Sequence, residues 1–587
     1  MEQKLEYKRH TLAHLLAAAV LQEYPHAKLT LGPAVDNGFY YDIDFSAGEA
    51  PGDENLKSIQ KNMRKMLSAW TSFDHREVSP DEARELFKNN EFKTELINEI
   101  AEKGETITLY TAGAGTKAEF TDLCRGGHSE NPAEEIAADA FKLDKIAGAY
   151  WRGDEKNPML TRIYGLAFDT KEELETYETQ MEEARKRDHR KLGKELDLFT
   201  FSELVGAGLP LFTPKGTLMR DLIVEKIMHI QAKYGYTKVT IPHITKSDLY
   251  KTSGHWDKFA DDLFHVKGKS DAEFVMKPMN CPHHTQIFDS RPRSYKELPI
   301  RYAETTMVYR DEQAGELIGL GRVRSITQDD GHVFCTPEQI EQEVTSIVRV
   351  IQEFYSSLGM YNEGQFWVSL SARDPQDPDG YLGDPAIWDH AESTLAKIAD
   401  ELSLPYKKVE GEAAFYGPKL DFMFKDAIGR ERQLATAQLD FVMPERFKLS
   451  YTDNEGNKQT PVMIHRAIAG SLERFMAIMI EHFAGNFPLW LSPVQLSVIP
   501  VSDAHNEYAL KVFESLKAVG LRAELDDSKD SMGKKIRNAK QAKLPYFIVI
   551  GDKEVAEKTV TLESRDGDSK VMSLDTVANH LLTEAGM

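Results

Sequence analysis

Hydrophobic and polar positions change period several times along the chain, and each change marks an element. Residues Arg9 to Tyr24 follow a helical repeat, which sets His10 and His14 one turn apart on one face. A mixed helical and strand pattern follows to about Phe168. From Thr170 to Leu196 the chain is strongly charged, with no Gly or Pro before Gly193, and this predicts one long exposed connecting helix. Beyond it, Leu218 to Ile227 read as an amphipathic helix and Lys238 to Ile241 as a strand closed by Pro242. Lys419 to Phe424 and Arg430 to Phe441 alternate apolar and polar residues around a short Gly-containing break, the pattern of antiparallel strands rather than of a parallel nucleotide-binding sheet. From about Pro493 the chain alternates strand Gln495 to Pro500, helix Asn506 to Val519, strand Leu521 to Leu525, a helix near Lys534 to Ala542 and strand Tyr546 to Ile550, a compact α/β arrangement. No internal repeat, low-complexity segment or phosphate-binding P-loop motif occurs. The expectation is an α+β multidomain protein divided at 1–168, 169–196, 197–490 and 491–587, the second piece being the linker helix.

Composition agrees with several domains, because 587 residues exceed what one core accommodates, and 41% hydrophobic with 28% charged residues is ordinary for packed globular cores. A net charge of -22 weighs against an anionic partner, yet basic groups concentrate in Arg185-Lys186-Arg187-Asp188-His189-Arg190-Lys191; the plainer reading of that run is a solvated helix face. Three scattered cysteines, Cys124, Cys281 and Cys335, make no disulfide framework and favour a reducing compartment. The first ten residues lack a signal peptide's apolar core and no apolar stretch is long enough to span a bilayer, so a cytoplasmic protein with no membrane contact is expected.

Two segments carry the central chemistry. Val308-Tyr309-Arg310-Asp311-Glu312-Gln313-Ala314-Gly315 and Gly321-Arg322 through Phe334 predict a strand, a polar loop and a returning strand that bring arginines and acids to one surface. Such a surface suits a polyphosphate and its magnesium, and equally a salt-bridged hairpin. The second segment, His465-Arg466-Ala467-Ile468-Ala469-Gly470-Ser471-Leu472-Glu473-Arg474-Phe475, passes from strand to helix; Gly470 permits close approach and Arg474 lies one turn on. Together they resemble motifs 2 and 3 of class II aminoacyl-tRNA synthetases, with the helix before Pro242 resembling motif 1. The finer resemblance is to threonyl-tRNA synthetases of bacterial type, through Met276-Lys277-Pro278-Met279-Asn280-Cys281-Pro282, Thr327-Gln328-Asp329-Asp330-Gly331-His332, Phe415-Tyr416-Gly417-Pro418-Lys419 and Pro461-Val462-Met463-Ile464-His465-Arg466.

That resemblance implies an antiparallel catalytic sheet at 197–490, an α+β editing domain at 1–168, an α/β anticodon-binding domain at 491–587 and a homodimer. It implies ATP, L-threonine and tRNA(Thr) as substrates. Arg310 would hold the α-phosphate, Arg322 and Arg474 the terminal phosphate and Glu312 the adenine or a magnesium ion, with Ile326 and Gln433 beside the nucleotide. Arg310, Lys419 and Arg474 would be catalytic, and Met279, Asp330, Tyr416 and Gln438 would bind threonine. Cys281, His332 and His465 correspond to the family's zinc ligands, one ion per subunit; their spacing alone does not reveal a site, since the intervals far exceed local zinc pairs. Three protein ligands leave positions open for threonine's amino and hydroxyl groups, which rejects valine by about 10⁴ or more, while serine, lacking only a methyl, is discriminated roughly 10 to 200-fold.

A hydrolytic second site is therefore expected. His10-Thr11-Leu12-Ala13-His14 and Asp122-Leu123-Cys124-Arg125-Gly126-Gly127-His128 supply candidates. His10, His14, Cys124 and His128 compose either a four-ligand zinc set, as in alanyl-synthetase relatives, or the metal-free pocket that bacterial threonyl enzymes use on seryl-tRNA; the metal-free reading is preferred, with Asp122 and His128 ordering water or substrate. The chain departs from the family pattern in several places. Relatives commonly open with a ubiquitin-like TGS domain, whereas this sequence begins almost directly at His10, so either it is trimmed there or its lineage is expected to lack that domain; Ile326 stands where Phe is usual, and Gly331 and His283 where Ala and Gly are usual. Glu554 corresponds to an anticodon reader, yet Glu563 stands where Arg is expected. A prolyl or glycyl enzyme, or a synthetase-derived RNA-binding protein, would lack the zinc set or the ATP arginines respectively.

Overall fold

The computed structural model describes residues 2–269, 271–377 and 380–586, and the chain forms two compact units, Met1–Glu182 and Glu183–Met587. In the first, helix Glu2–Glu23 is apolar on all sides from Leu12 to Val20 apart from His14, and is correspondingly buried on all sides, as a core helix must be. It packs against strand Gly38–Asp44 and helix Leu56–Leu67. Strands Lys28–Leu29, Gly38–Asp44, Met159–Ala167 and Phe141–Tyr150 lie side by side, antiparallel, in that order. A second antiparallel sheet runs Phe73–Val78, Ile107–Ala112, Phe120–Leu123.

The predicted single linker helix is two helices, Lys171–Arg187 and His189–Glu195. Asp188 breaks the run and caps the second helix by accepting from the Arg190 amide. Inside the charged stretch Leu192 is apolar enough to enter the core of the second unit, so His189, Leu192 and Gly193 are buried rather than solvated.

The second unit is built on an eight-stranded sheet in the order Thr237–Lys238, Ile300–Tyr309, Ser325–Cys335, Val462–Ala467, Glu431–Asp440, Lys419–Lys425, Phe366–Ala372, Tyr406–Glu410. All neighbours are antiparallel except the two outermost pairs. The strand expected from Lys238 to Ile241 is shorter: beyond Val239 the ladder gives way to a side-chain bond, the Ile241 amide donating to Glu304 Oε1 at 3.1 Å. Period-two alternation sends Val333, Ile464, Ala437 and Leu439 under helices Pro214–Ala232, Ile340–Ser356, Pro385–Glu401 and Leu472–Phe483. The same alternation turns His332, His465 and Gln438 to the opposite face, where a cavity opens. The carboxyl-terminal sheet orders Ala523–Leu525, Leu496–Pro500, Tyr546–Ile550, Val560–Ser564, Ser569–Met572, its first three strands parallel and the rest an antiparallel extension around a separate core. Among the described residues no helix is long and apolar enough to cross a membrane.

Candidate active site and metal centre

Register brings two of the three expected metal ligands together. His332 and His465 are direct cross-strand partners, and Cys281 opens helix Cys281–Asp289 beside them. The three ligand atoms lie within 4.8 Å of one another and all three residues are buried. His332 Nε2 and His465 Nδ1 face each other at 3.1 Å, while each ring's other nitrogen is engaged: His465 Nε2 with Asp440 Oδ2 at 2.8 Å and His332 Nδ1 with His284 Nδ1 at 2.7 Å. Outer partners of this kind fix which nitrogen faces a metal, so a sulfur and two inward nitrogens fit a zinc ion. Burial pushes the Cys281 thiol well up and holds His332 well down, so without a cation both stay neutral.

Beside these ligands lies a cavity of about 540 Å³ lined by Met279, Arg310, Glu312, Arg322, Ile326, Asp330, Tyr416, Gln433, Gln438 and Arg474 among others. Burial lowers the pKa of Arg310; its guanidinium lies 4.8 Å from the Phe259 ring and donates to Met279 Sδ at 3.2 Å, and its buried Nε has no hydrogen-bond partner among the described residues, the state of a cation that awaits an anion. Arg322 donates to Glu312 at 2.7 Å. Tyr416 donates to Gln438 at 2.6 Å and stacks on His465 with centroids 4.8 Å apart. Asp330, whose pKa burial raises, accepts from Asn280 at 3.1 Å and stands 3.6 Å from His332 Nε2. Lys419 does not line this cavity: it is ion-paired at 2.7 Å with Asp421, whose other oxygen accepts from the lining residue Thr436. Sequence reasoning missed Asp440 and His284; for Asp440 the signal was its place two residues beyond Gln438 on the same strand face.

In the first unit His10, His14, Cys124 and His128 converge, their donor atoms also within 4.8 Å of one another. Cys124 Sγ is 3.2 Å from His128 Nε2 and 3.6 Å from His10 Nε2, because Gly126 and Gly127, at φ 95° and 83°, turn the chain back toward the helix. Burial pushes the Cys124 thiol up to about 11 and His128 down to about 2. His10, His14, Asp122 and Cys124 line a cavity of about 710 Å³; His128 does not, being stacked between Phe73 and His10 at 4.1 and 4.4 Å. Asp122 receives Lys93 Nζ at 2.6 Å and the Tyr41 hydroxyl at 2.6 Å. Lys93 was not foreseen, since a lysine on a partly polar helix reads as solvated, and here it is only 2% exposed.

In the carboxyl-terminal domain both Glu554 oxygens are used within the chain, one by the Gly551 amide at 2.9 Å and one by Thr561 at 2.6 Å. Glu563 faces Lys540 at 3.5 Å.

A sequence model of the tRNA synthetase class II core domain (G, H, P, S and T) matches residues 264–483, and one of the anticodon binding domain matches residues 495–584. Threonine–tRNA ligase of Gloeobacter violaceus is 49% identical over 570 residues, covering 96% of this chain and 89% of that protein. The enzyme of the same name from Rubrobacter xylanophilus is 47% identical, covering 96% and 85%. The crystal structure of the RNA binding domain of threonyl-tRNA synthetase from Cryptosporidium parvum superposes with a TM-score of 0.64 at 38% identity, covering 68% of this chain and 98% of that one. At this identity, sustained over nearly the whole length and through both domains, the chain belongs to the threonine–tRNA ligase family.

Proposed function

We propose that the cavity beside Cys281, His332 and His465 is where this ligase joins threonine to ATP. Cys281, His332 and His465 would hold a zinc ion, which would supply Lewis-acid chemistry at the amino-acid end of the cavity, and magnesium would accompany the nucleotide. Asp330 accepts the substrate hydroxyl proton, while Tyr416, Gln438 and Met279 wall the amino-acid end. Arg310 holds the α-phosphate, Arg322 and Arg474 the terminal phosphate, and Glu312, Ile326 and Gln433 the rest of the nucleotide. A threonine carboxylate oxygen then bonds to the α-phosphorus as the bond to pyrophosphate breaks, and fixed guanidinium groups stabilise the charge that spreads over the phosphoryl oxygens. The 3'-terminal hydroxyl of tRNA(Thr) next takes the threonyl group from AMP. Lys419 acts through Asp421 rather than on the nucleotide.

The amino-terminal pocket hydrolyses seryl-tRNA without a metal. Four protein ligands would saturate a tetrahedral ion and leave it no position for water, whereas the free cluster offers neutral imidazoles and a neutral thiol around an open cavity. Glu554 takes part in anticodon binding by shaping the short helix that it caps. The enzyme works as a cytoplasmic homodimer, with the linker region 169–196 divided at Asp188 and the other domains as at 1–168, 197–490 and 491–587.

The observation that carries this reading is the cross-strand pair His332 and His465 closing on Cys281 beside Arg310, whose buried Nε has no hydrogen-bond partner among the described residues. The test is pyrophosphate exchange with threonine, serine and valine, with metal analysis of the same sample. Exchange with threonine and serine but not valine, at one zinc per chain, is expected. Exchange with valine would overturn the threonine seat, and two zinc ions per chain would overturn the metal-free second pocket.

A further inference from the structure

Outside both cavities one polar cluster stands apart: buried His189 between the half-buried Asp188 and Glu481, whose ligand atoms lie within 4.8 Å of one another. It is not a cation site, because Arg190 pairs with Asp188, Arg430 with Glu481, and Arg187 donates to the Glu481 and His482 carbonyls. Its geometry points elsewhere. His189 Nδ1 meets Glu481 Oε1 at 2.7 Å, and His189 Nε2 accepts from the Leu320 amide at 3.1 Å, so the ring carries its proton on Nδ1 and joins a carboxylate to a loop backbone.

What those two ends carry gives the contact its meaning. Leu320 sits in the tight turn from Ile318 to Arg322, closed by the Gly321 amide donating to Ile318 O at 2.8 Å; Gly319, at φ 50°, brings the backbone so near the ring that a side chain there would strike Nε2. Arg322 follows Leu320 by two residues. Glu481 lies in helix Leu472–Phe483, whose first turn bears Arg474, and it also holds Arg430, at the turn before the strand that carries Gln433. Three separate elements that line the nucleotide cavity thus converge on the His189–Glu481 pair, two of them at the imidazole and the third through Arg430 at the carboxylate. His189 itself is 5% exposed and lines no part of that cavity.

We propose that His189 is a positioning residue for ATP, tying the loop of Arg322 to the helix of Arg474 so that the two guanidinium groups are held at one separation. The proposal rests on the assignment of those arginines to the terminal phosphate. A second consequence is that the segment joining the two units contributes to the catalytic site through its second helix, and is more than a spacer.

The test is pyrophosphate exchange by the full-length enzyme, with KM for ATP and for threonine measured separately. His189→Phe keeps the ring and removes both bonds; KM for ATP is expected to rise about tenfold, the worth of one or two buried hydrogen bonds, with KM for threonine and zinc content unchanged. His189→Gln, which retains one donor and one acceptor, should stay within about twofold of the parent. Glu481→Ala frees the other end of the same bridge, so it should raise KM for ATP similarly, and the double variant with His189→Phe should be no worse than either alone. Arg322→Ala and Arg474→Ala serve as controls: if they leave KM for ATP unchanged, the phosphate assignment fails, whereas if they raise it and His189→Phe does not, the positioning role fails. A loss confined to kcat, equal for Phe and Gln, or additive effects at 189 and 481, would also overturn it as a merely structural contribution.

Discussion

His465 Nε2 points at Asp440 Oδ2 from 2.8 Å, which leaves Nδ1 to face His332, and this single contact decides how the expected ligand set presents its lone pairs. Asp440→Asn should therefore lower zinc affinity roughly 10 to 100-fold in a chelator competition, while the fold and the other ligands remain; unchanged zinc retention would show the carboxylate to be a bystander. In the first unit the same scale yields a pH prediction. Burial disfavours the Cys124 thiolate and raises its pKa to about 11, so the nucleophilic form is scarce below that pH and grows as pH rises through it. Iodoacetamide modification of Cys124, followed by peptide mass analysis, should climb steadily to about pH 11; a plateau near the ordinary thiol pKa of about 8.5 would contradict the burial. Cys281 and Cys335 are fully buried and should stay unmodified in the native protein. Of the residues around Asp122, the histidines and Cys124 were legible because their types are rare and reactive, whereas Lys93 and Tyr41 were not, being ordinary residues made exceptional by burial.

At the scale of elements, Asp329 is the fastener of the strand-to-helix turn that delivers Arg474. One of its oxygens accepts from Arg466 at 2.9 Å and the other from the Ile468 and Ala469 amides at 2.8 and 3.1 Å, while its own amide donates to Gly470 O. Arg466 is 2% exposed, packs against Tyr236 and also donates to Gln231, so losing the carboxylate leaves a nearly buried charge without its counter-ion. Asp329→Ala should cost about 3–5 kcal/mol, the penalty of an uncompensated buried charge, and thermal unfolding of the variant measures it; a loss under about 1 kcal/mol would mean that water reaches Arg466. Elements with a sustained pattern were legible: strand Tyr546–Ile550, a continuous apolar run, and the two alternating strands around Gly429 stand where the sequence pattern puts them. The linker was not, because a charge-rich run hides one capping Asp and one core Leu, and the strand after Thr237 was not, because Glu304 takes over its ladder bond.

For the whole molecule, the division at Glu182 makes the second site separable from the first. Removing residues 1–168 should leave threonine charging within a few-fold of the parent and let seryl-tRNA(Thr) accumulate; acid-gel analysis of charged tRNA checks it, and equal accumulation by the intact enzyme would refute the editing assignment. Sequence by itself determined the family, because motifs this long match specifically, and through that resemblance it pointed to the candidate ligands and candidate phosphate-binding arginines. It also determined that the strands Lys419–Lys425 and Glu431–Asp440 of the central sheet are antiparallel, since side-chain alternation follows from strand geometry. Only the tertiary structure decided which strands are neighbours, and with that the pairing of His332 with His465, the outer hold of Asp440 and the buried Lys93. These depend on register and burial between segments that no local window spans, from a separation of 25 residues for Asp440 and His465 to 133 for His332 and His465.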